Sequence, residues 1–145
     1  MRLWLDCEFN DFGGELISMA LVSDGPEWYQ SLGCASPSPW VAENVMPVID
    51  APTISRQEFV LSLGKFLWQF EKLDIIADWP DDISYFCRSL ITGPGGRIDT
   101  PPLRMEIRRD LDGVSAVPHN ALYDARAIKA AWYALHPHHQ GLRTP

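Results

Sequence analysis

The chain has 145 residues, of which 46% are hydrophobic and 21% are charged. This balance is typical of a single folded domain with an apolar core, and it excludes a disordered or fibrous chain. The 12 basic and 19 acidic residues give a formal charge of −7, which argues against long-range attraction to a polyanion. A nucleic-acid partner would therefore be held locally, by metal ions, aromatic stacking and a few arginines, which suits a short single strand.

The cellular location can be inferred from what the sequence lacks. No apolar run is long enough to cross a bilayer, and the N-terminus has no pattern of a secretory signal. Cys7, Cys34 and Cys87 are odd in number and have no metal-ligand spacing, so we expect ordinary thiols. These features predict a cytoplasmic protein with no membrane partner.

An apolar run near the N-terminus predicts a first buried strand over residues 3–8. Because side chains alternate along a strand, Asp6 and Glu8 would point the same way. Two adjacent carboxylates repel unless a cation lies between them, and oxygen ligands suit Mg²⁺ or Mn²⁺. The same pair also fits a plain strand that runs into an acidic turn, so it needs partners elsewhere in the chain.

Two more strands, over residues 15–23 and 27–30, are separated by turn residues, which predicts an antiparallel meander. The proline-rich residues 34–52 predict a long connection with one short helix over 40–45.

The middle of the chain predicts a helix, a strand and a second helix. Ser55 and Glu58 form a capping-box pattern at the start of the first helix. Its buried face would comprise Phe59, Leu63, Phe66, Leu67 and Phe70. Residues 73–78 predict a fourth strand, and Pro80 suits the first turn of the following helix.

Residues 92–102, rich in glycine and proline, predict a loop, and residues 103–109 predict a fifth strand. This strand carries the densest positive patch of the chain, Arg104, Arg108 and Arg109. The patch fits either a phosphate-binding surface or a charged sheet edge that resists aggregation.

The last helix begins at Asn120 and adds two candidate site residues. His119 precedes this helix and Asp124 lies about one turn further on, so both can face one cleft. Asp82 lies in the first turn of the preceding helix, where a carboxylate also favours the helix dipole. Each of these residues alone is often only a capping or packing residue, but strand ends and helix starts are where an α/β sheet gathers its functional groups.

The order Asp6-x-Glu8, Asp82, His119-x-x-x-x-Asp124 resembles the DEDDh group of 3′–5′ exonucleases, which includes ribonuclease T, oligoribonuclease and DNA-polymerase proofreading subunits. The short chain is most similar to the small bacterial exoribonucleases of this group. The most specific match is the heptapeptide His-Asn-Ala-Leu-Tyr-Asp-Ala that begins at His119.

The resemblance implies the fold and the domain organisation. We expect an α/β domain of the ribonuclease-H-like type, with a mixed five-stranded sheet flanked by helices. One such domain would span residues 1–145, with residues 136–145 as an exposed tail.

The resemblance also implies the chemistry. Asp6 would bridge two Mg²⁺ or Mn²⁺ ions, Glu8 and Asp124 would complete the first site, and Asp82 would act on the second, mainly through waters. His119 would be the general base that takes a proton from the attacking water, because an imidazole titrates close to neutral pH. The products would be nucleoside 5′-monophosphates.

The second motif departs from the family pattern. Relatives often carry asparagine where this chain has Asp78, which would contact a water on the metal or the ribose of the substrate. Asp82 is preferred as the catalytic carboxylate because apolar residues follow it on the helix, and Asp81 remains an alternative.

Substrate-binding candidates lie around the carboxylates. Phe9 would stack on the terminal bases, and the backbone at Phe9 and Asn10 would hold the 3′-hydroxyl. Phe12 and Trp40 are further stacking candidates, with core packing as the alternative. Those arginines of the positive patch that border the cleft would hold the incoming phosphates.

The expected partner is RNA or a single-stranded nucleic acid with a free 3′ end, together with a second copy of the chain in a possible homodimer. A proofreading-type DNA exonuclease and a catalytically silent binding module of the same fold are the alternatives. A further alternative is a separate metal function of residues 136–139, which include three histidines. The competing interpretation of these residues is a solvated chain end.

Overall fold

The computed structural model describes residues 1–139 and contains two sheets and four α-helices. The strands are β1 (Arg2–Phe9), β2 (Leu16–Val22), β3 (Glu27–Ser31), β4 (Leu73–Ala77), β5 (Ile91–Gly93), β6 (Gly96–Arg97) and β7 (Leu103–Ile107). The helices are α1 (Pro39–Asn44), α2 (Arg56–Leu67), α3 (Pro80–Ser89) and α4 (Ala121–Leu135), with single 3₁₀ turns at Met46–Val48 and Pro137–His139.

The main sheet has five strands in the order β3-β2-β1-β4-β7. The first three strands pair antiparallel, as the sequence predicts for a meander, whereas β1, β4 and β7 pair parallel. The sheet is therefore mixed, and the expectation of an α/β fold with five strands flanked by helices is confirmed. No helix in residues 1–139 is long and apolar enough to span a membrane.

Strand β1 lies at the centre of the sheet, and its alternating side chains meet different helices. Leu3 and Leu5 are fully buried on the face covered by α2 and α3, where they join Phe59 in the largest core cluster. Trp4 points to the opposite face and packs with Trp132 of α4. Because side chains alternate along a strand, the residues two and four positions beyond Trp4 lie on the α4 face as well.

Helix α2 begins with the expected capping box: the Ser55 and Glu58 side chains each bond to the other residue's backbone N–H. It ends at Leu67, so Phe70 packs on the core from the following turn rather than from the helix.

The predicted loop over residues 92–102 contains a small second sheet. Strands β5 and β6 pair antiparallel around Pro94 and Gly95, and Gly95 adopts a φ of 72°, which favours glycine. The sequence interpretation missed this hairpin because its strands have three and two residues, too short for an alternating pattern.

The predicted tail is exposed at residues 137–139, as expected, and is half-buried only at His136. The His136 ring stacks on Trp132 at 4.3 Å between ring centroids, and residues 137–139 form a 3₁₀ turn. Among residues 1–139, the side-chain groups arranged to hold a metal ion do not include these histidines. Residues 140–145 lie outside the described part of the chain.

Asn120 joins the start of α4 to the proline-rich connection. Its fully buried side chain accepts hydrogen bonds from the N–H groups of Leu122 and Tyr123 and donates one to the carbonyl of Val48 (2.7 Å). One side chain thus caps the helix and fixes the connection against it.

We expect Asn120→Ala to lower the free energy of unfolding by about 1–3 kcal/mol, because it removes a helix cap and leaves the half-buried Val48 carbonyl without this donor. Chemical denaturation measures this change. Asn44→Ala is the matched control, since the Asn44 side chain donates to the carbonyl of Trp40 at the exposed end of α1 and bonds to no distant segment within residues 1–139. Equal effects of the two substitutions would contradict the role of Asn120.

Candidate metal centre

Five carboxylates converge where β1, β4, α3 and α4 meet. Asp6 and Glu8 project from β1 toward α4, and Asp124 comes from the first turn of α4. Asp78 directly follows β4, and Asp82 lies in the first turn of α3. The structure thus brings together the four predicted metal ligands and adds Asp78 to them.

The carboxylates form two groups that share Asp6. One group comprises Asp6, Glu8 and Asp124, and the other comprises Asp6, Asp78 and Asp82. In each group, one oxygen from every residue lies within 4.8 Å of the others. Asp6 is therefore common to both groups, and the bridging role that the sequence resemblance implies for it stays a prediction.

Backbone N–H groups hold two of these side chains in place. The Asp82 Oδ1 atom accepts a hydrogen bond from the Cys7 N–H (3.1 Å), and the Asp124 Oδ2 atom accepts one from the His119 N–H (3.0 Å). Within residues 1–139, no N–H or hydroxyl donates a hydrogen bond of normal geometry to the buried atoms Asp6 Oδ2, Asp82 Oδ2 and Asp124 Oδ1. Each side chain is thus fixed by one oxygen at most and offers the other to a ligand.

Burial and mutual repulsion make these carboxyls hard to ionise. Burial, followed by the charge of Asp124, raises the pKa of Glu8 to about 8. Burial and then the charge of Asp78 raise the pKa of Asp82 to about 8. The pKa of Asp6 is also raised well above its usual value, first by burial and then by the charges of Asp82 and Glu8. A cation at the cluster would relieve both effects.

The donor set fits Mg²⁺ or Mn²⁺. Both ions prefer carboxylate oxygens, and oxygens on opposite sides of Mg²⁺ are about 4.2 Å apart at a bond length of about 2.1 Å. Oxygens within 4.8 Å of one another need only small side-chain rotations to reach one ion. Neither group contains a thiol or an imidazole, so a zinc or copper site is disfavoured.

A cavity of about 370 Å³ opens beside Glu8. Its lining includes Phe9, Phe12, Trp40 and His119. Phe12 is 81% exposed and Trp40 is 51% exposed, so neither is a core residue. Phe9 is half-buried and stacks on Tyr85 with ring centroids 4.9 Å apart. The three predicted stacking residues therefore border one cavity next to the carboxylates.

His119 joins the cavity to the carboxylates. Its backbone has a φ of 67°, an uncommon conformation for a residue other than glycine, and its N–H donates to Asp124. The edge of its ring meets Trp40 at 5.0 Å between ring centroids. Its ring is half-buried in the lining of the cavity, within reach of solvent.

Asn10 is not among the residues that line the cavity. Its side chain accepts a hydrogen bond from the Ser38 N–H and donates one to the Ser36 carbonyl, and so anchors the segment that precedes α1. The adjacent Gly14 allows the tight turn after β1, because a Cβ there would lie 1.7 Å from the Asn10 carbonyl oxygen. The structure thus gives Asn10 a supporting role at the rim of the cavity.

The positive patch is divided by the structure. Arg104 makes two hydrogen bonds to Asp74, which lies in register with Arg2 at the far end of β1 from Glu8. Contrary to the sequence expectation, Arg104 therefore does not border the carboxylates. The sequence alone could not reveal that Arg104 pairs with Asp74, because this contact depends on the register of the parallel strands β4 and β7.

Arg108 and Arg109 directly follow β7, and Asp78 directly follows the parallel strand β4. The three residues therefore lie at the same end of these two strands. Arg108 is neutralised by ion pairs with Asp110 and Glu106. Arg109 stacks on Trp79, 3.9 Å from the ring centroid, and donates a hydrogen bond to the Asp78 carbonyl. Of the three arginines, Arg109 is the one placed next to the carboxylate cluster.

The structure separates Asp81 from Asp82. Asp82 is only 2% exposed and belongs to the cluster, whereas Asp81 accepts a hydrogen bond from the Trp79 indole (2.7 Å) and is in neither group. The choice of Asp82 as the second-motif carboxylate agrees with this geometry.

Comparisons of the chain with protein-family models, with curated proteins and with solved structures gave no match. The geometry of the cluster and its cavity is therefore the structural basis for inferring a function.

We expect the metal-free protein to lose stability as the pH rises from about 4 to about 8. In this range the folded state retains protons on Glu8 and Asp82 that the unfolded state releases, so the free energy of unfolding falls with rising pH. Mn²⁺ replaces those protons. It should therefore raise the melting temperature more at pH 8 than at pH 5.5, by several degrees, since about 1 kcal/mol corresponds to roughly 2–4 °C in a domain of this size.

Thermal denaturation with chelator and with Mn²⁺, at both pH values, measures these effects. A melting temperature in chelator that does not change between pH 5.5 and pH 8 would contradict the assignment of the cluster.

Proposed function

We propose that this protein is a metal-dependent 3′–5′ exonuclease that hydrolyses RNA or short single-stranded oligonucleotides to nucleoside 5′-monophosphates. The observation that carries the proposal is the sharing of Asp6 between two groups of buried and half-buried carboxylates. A single structural or regulatory cation needs one such group. Two cations held by one bridging carboxylate are typical of enzymes that cleave phosphodiesters.

The ligands for the two cations would be Asp6, Glu8 and Asp124 on one side, and Asp6 with Asp82 on the other. When bound, the cations supply neutralisation of the phosphodiester, activation of water and stabilisation of the leaving oxygen. Asp124 also accepts a hydrogen bond from the His119 N–H, so it connects the ligand set to the histidine.

His119 is the proposed general base. Its ring lines the same cavity as Glu8, so a phosphodiester placed against the carboxylates would lie within its reach. The edge contact with Trp40 limits the movement of the ring, and an imidazole accepts a proton readily near neutral pH. His119 would remove the proton from the attacking water.

The cavity supports action at a strand end. At about 370 Å³ it has room for one or two bases, and Phe9, Phe12 and Trp40 offer aromatic surfaces for stacking. The turn after β1 and the segment before α1, joined by Asn10, bound it on one side. Arg109 is the proposed contact for a phosphate further along the strand.

The strand order supports a ribonuclease-H-like fold: an antiparallel three-strand meander precedes two parallel strands. RNA is preferred to DNA on the sequence resemblance. A cytoplasmic location and a homodimer remain predictions of the sequence, and light scattering of the protein in solution tests the second.

The test is incubation with single-stranded RNA labelled at its 5′ end, in the presence of Mg²⁺, Mn²⁺ or chelator. We expect a ladder that shortens from the 3′ end only with metal, and no cleavage by Asp6→Ala, whose fold should persist because the substitution removes a repelling charge. Parallel DNA substrates identify the proofreading alternative by a higher rate on DNA. The absence of metal-dependent cleavage by folded protein would reject the proposal and favour a silent binding module.

The second-motif carboxylate gives an independent test. Asp82→Asn should lower kcat by at least about 100-fold, because it removes a buried ligand of the second cation. Asp81→Asn is the matched control, one residue away on the same helix turn, and should keep kcat within about threefold of the parent. Steady-state kinetics on a short RNA measures both. The opposite ranking would assign the motif to Asp81.

A further inference from the structure

We propose that Asp78 is a direct ligand of the second cation, so that this chain binds two divalent cations before any nucleic acid is present. The inference deepens the proposed function, on which it rests for the catalytic role of the second cation. It differs from the sequence expectation in two ways. The sequence resemblance implies that Asp78 contacts a water on the metal or the ribose of the substrate. It also implies that Asp82 acts on the second cation mainly through waters.

The geometry gives the second group as many protein ligands as the first. Asp78 and Asp82 each offer an oxygen within 4.8 Å of an Asp6 oxygen and of one another. Asp78 directly follows β4, which pairs in parallel with β1, so its backbone is held by the central strands of the sheet. Three carboxylates from three different elements thus surround one point.

A second observation points to a ligand at that point. Asp82 is 2% exposed, its Oδ1 atom accepts the Cys7 N–H, and its buried Oδ2 atom has no hydrogen-bond donor of normal geometry within residues 1–139. The buried Asp6 Oδ2 atom is in the same situation. A buried carboxylate oxygen without a donor is costly unless it takes up a proton or contacts a cation, so a cation would compete for this position.

The charge of the cluster favours two cations over one. The five carboxylates of the two groups carry five negative charges when ionised. One divalent cation neutralises two of these charges, and a second leaves a single net negative charge. The Arg109 guanidinium lies beside Asp78, bonded to its carbonyl, and reduces the remaining charge further.

A second cation usually depends on oxygens of the substrate when the protein supplies only one or two carboxylates. Here the protein itself supplies three to each group, with Asp6 in common. The second cation therefore needs no phosphate to complete its ligands. A phosphodiester should therefore bind to a centre that already holds two cations.

The test is a calorimetric titration of Mn²⁺ into the 145-residue protein without nucleic acid, together with electron paramagnetic resonance of the loaded protein. We expect two Mn²⁺ per chain and a spin-coupled spectrum, because Asp6 bridges the two ions. In Asp78→Asn the second ion should bind at least tenfold more weakly, since loss of even an outer-shell partner costs about 10–100-fold in affinity, and the coupling should disappear at moderate Mn²⁺.

Two variants control the titration. Asp81→Asn should retain two ions and the coupled spectrum, because Asp81 bonds to Trp79 and belongs to neither group. Asp78→Glu keeps a carboxylate and should restore the coupled spectrum at raised Mn²⁺. Thermal denaturation in chelator checks the fold of each variant.

One Mn²⁺ per chain in the parent protein, or two tightly bound ions in Asp78→Asn, would overturn the inference. Hydrolysis of RNA is measured separately on the same preparations. If the parent protein cleaves RNA but binds only one ion when RNA is absent, the inference fails and the proposed function stands. If the parent binds two coupled ions and cleaves nothing, the proposed function fails and the assignment of Asp78 stands.

Discussion

The repulsion among carboxylates at the end of β1 is the constraint on which the candidate site depends. Asp6 and Glu8 are held on the central strand, where apolar residues on both faces fix the backbone. The other members of the cluster come from helix starts and from the end of β4. The end of β4 and the starts of α3 and α4 therefore bring negative charge to one place beside β1, at a cost in stability that a cation can relieve.

Much of this arrangement follows from local patterns in the sequence. Alternation along β1 predicts that Asp6 and Glu8 share a face, and the capping box predicts where α2 begins. Asn120 predicts the start of α4, because asparagine is favoured at the N-cap of a helix. These features depend on neighbours within a few positions, so a single sequence is enough to predict them.

The remaining features depend on contacts between distant segments. Arg104 is removed from the site by its register with Asp74 on a parallel strand, which no spacing in the sequence encodes. Asp78 joins the cluster because β4 lies next to β1, a crossover that places residues more than 70 positions apart side by side. The short β5–β6 hairpin is set by glycine conformation more than by apolar periodicity. Each case requires the three-dimensional pairing of strands.

The proline-rich segment between β3 and α2 is fastened at two points, by Asn10 near its start and by Asn120 near Val48. Each asparagine is the chain neighbour of a residue that lines the cavity, Phe9 in one case and His119 in the other. The part between these two points carries Trp40, which lines the cavity, and it contributes no carboxylate to the cluster. Val41 and Val45 of this part are buried with Ile17 and fix its backbone to the sheet, whereas its exposed side chains can vary without changing the ligand set. Trp40 is such a side chain, so its replacement offers a way to change which strand ends the protein accepts.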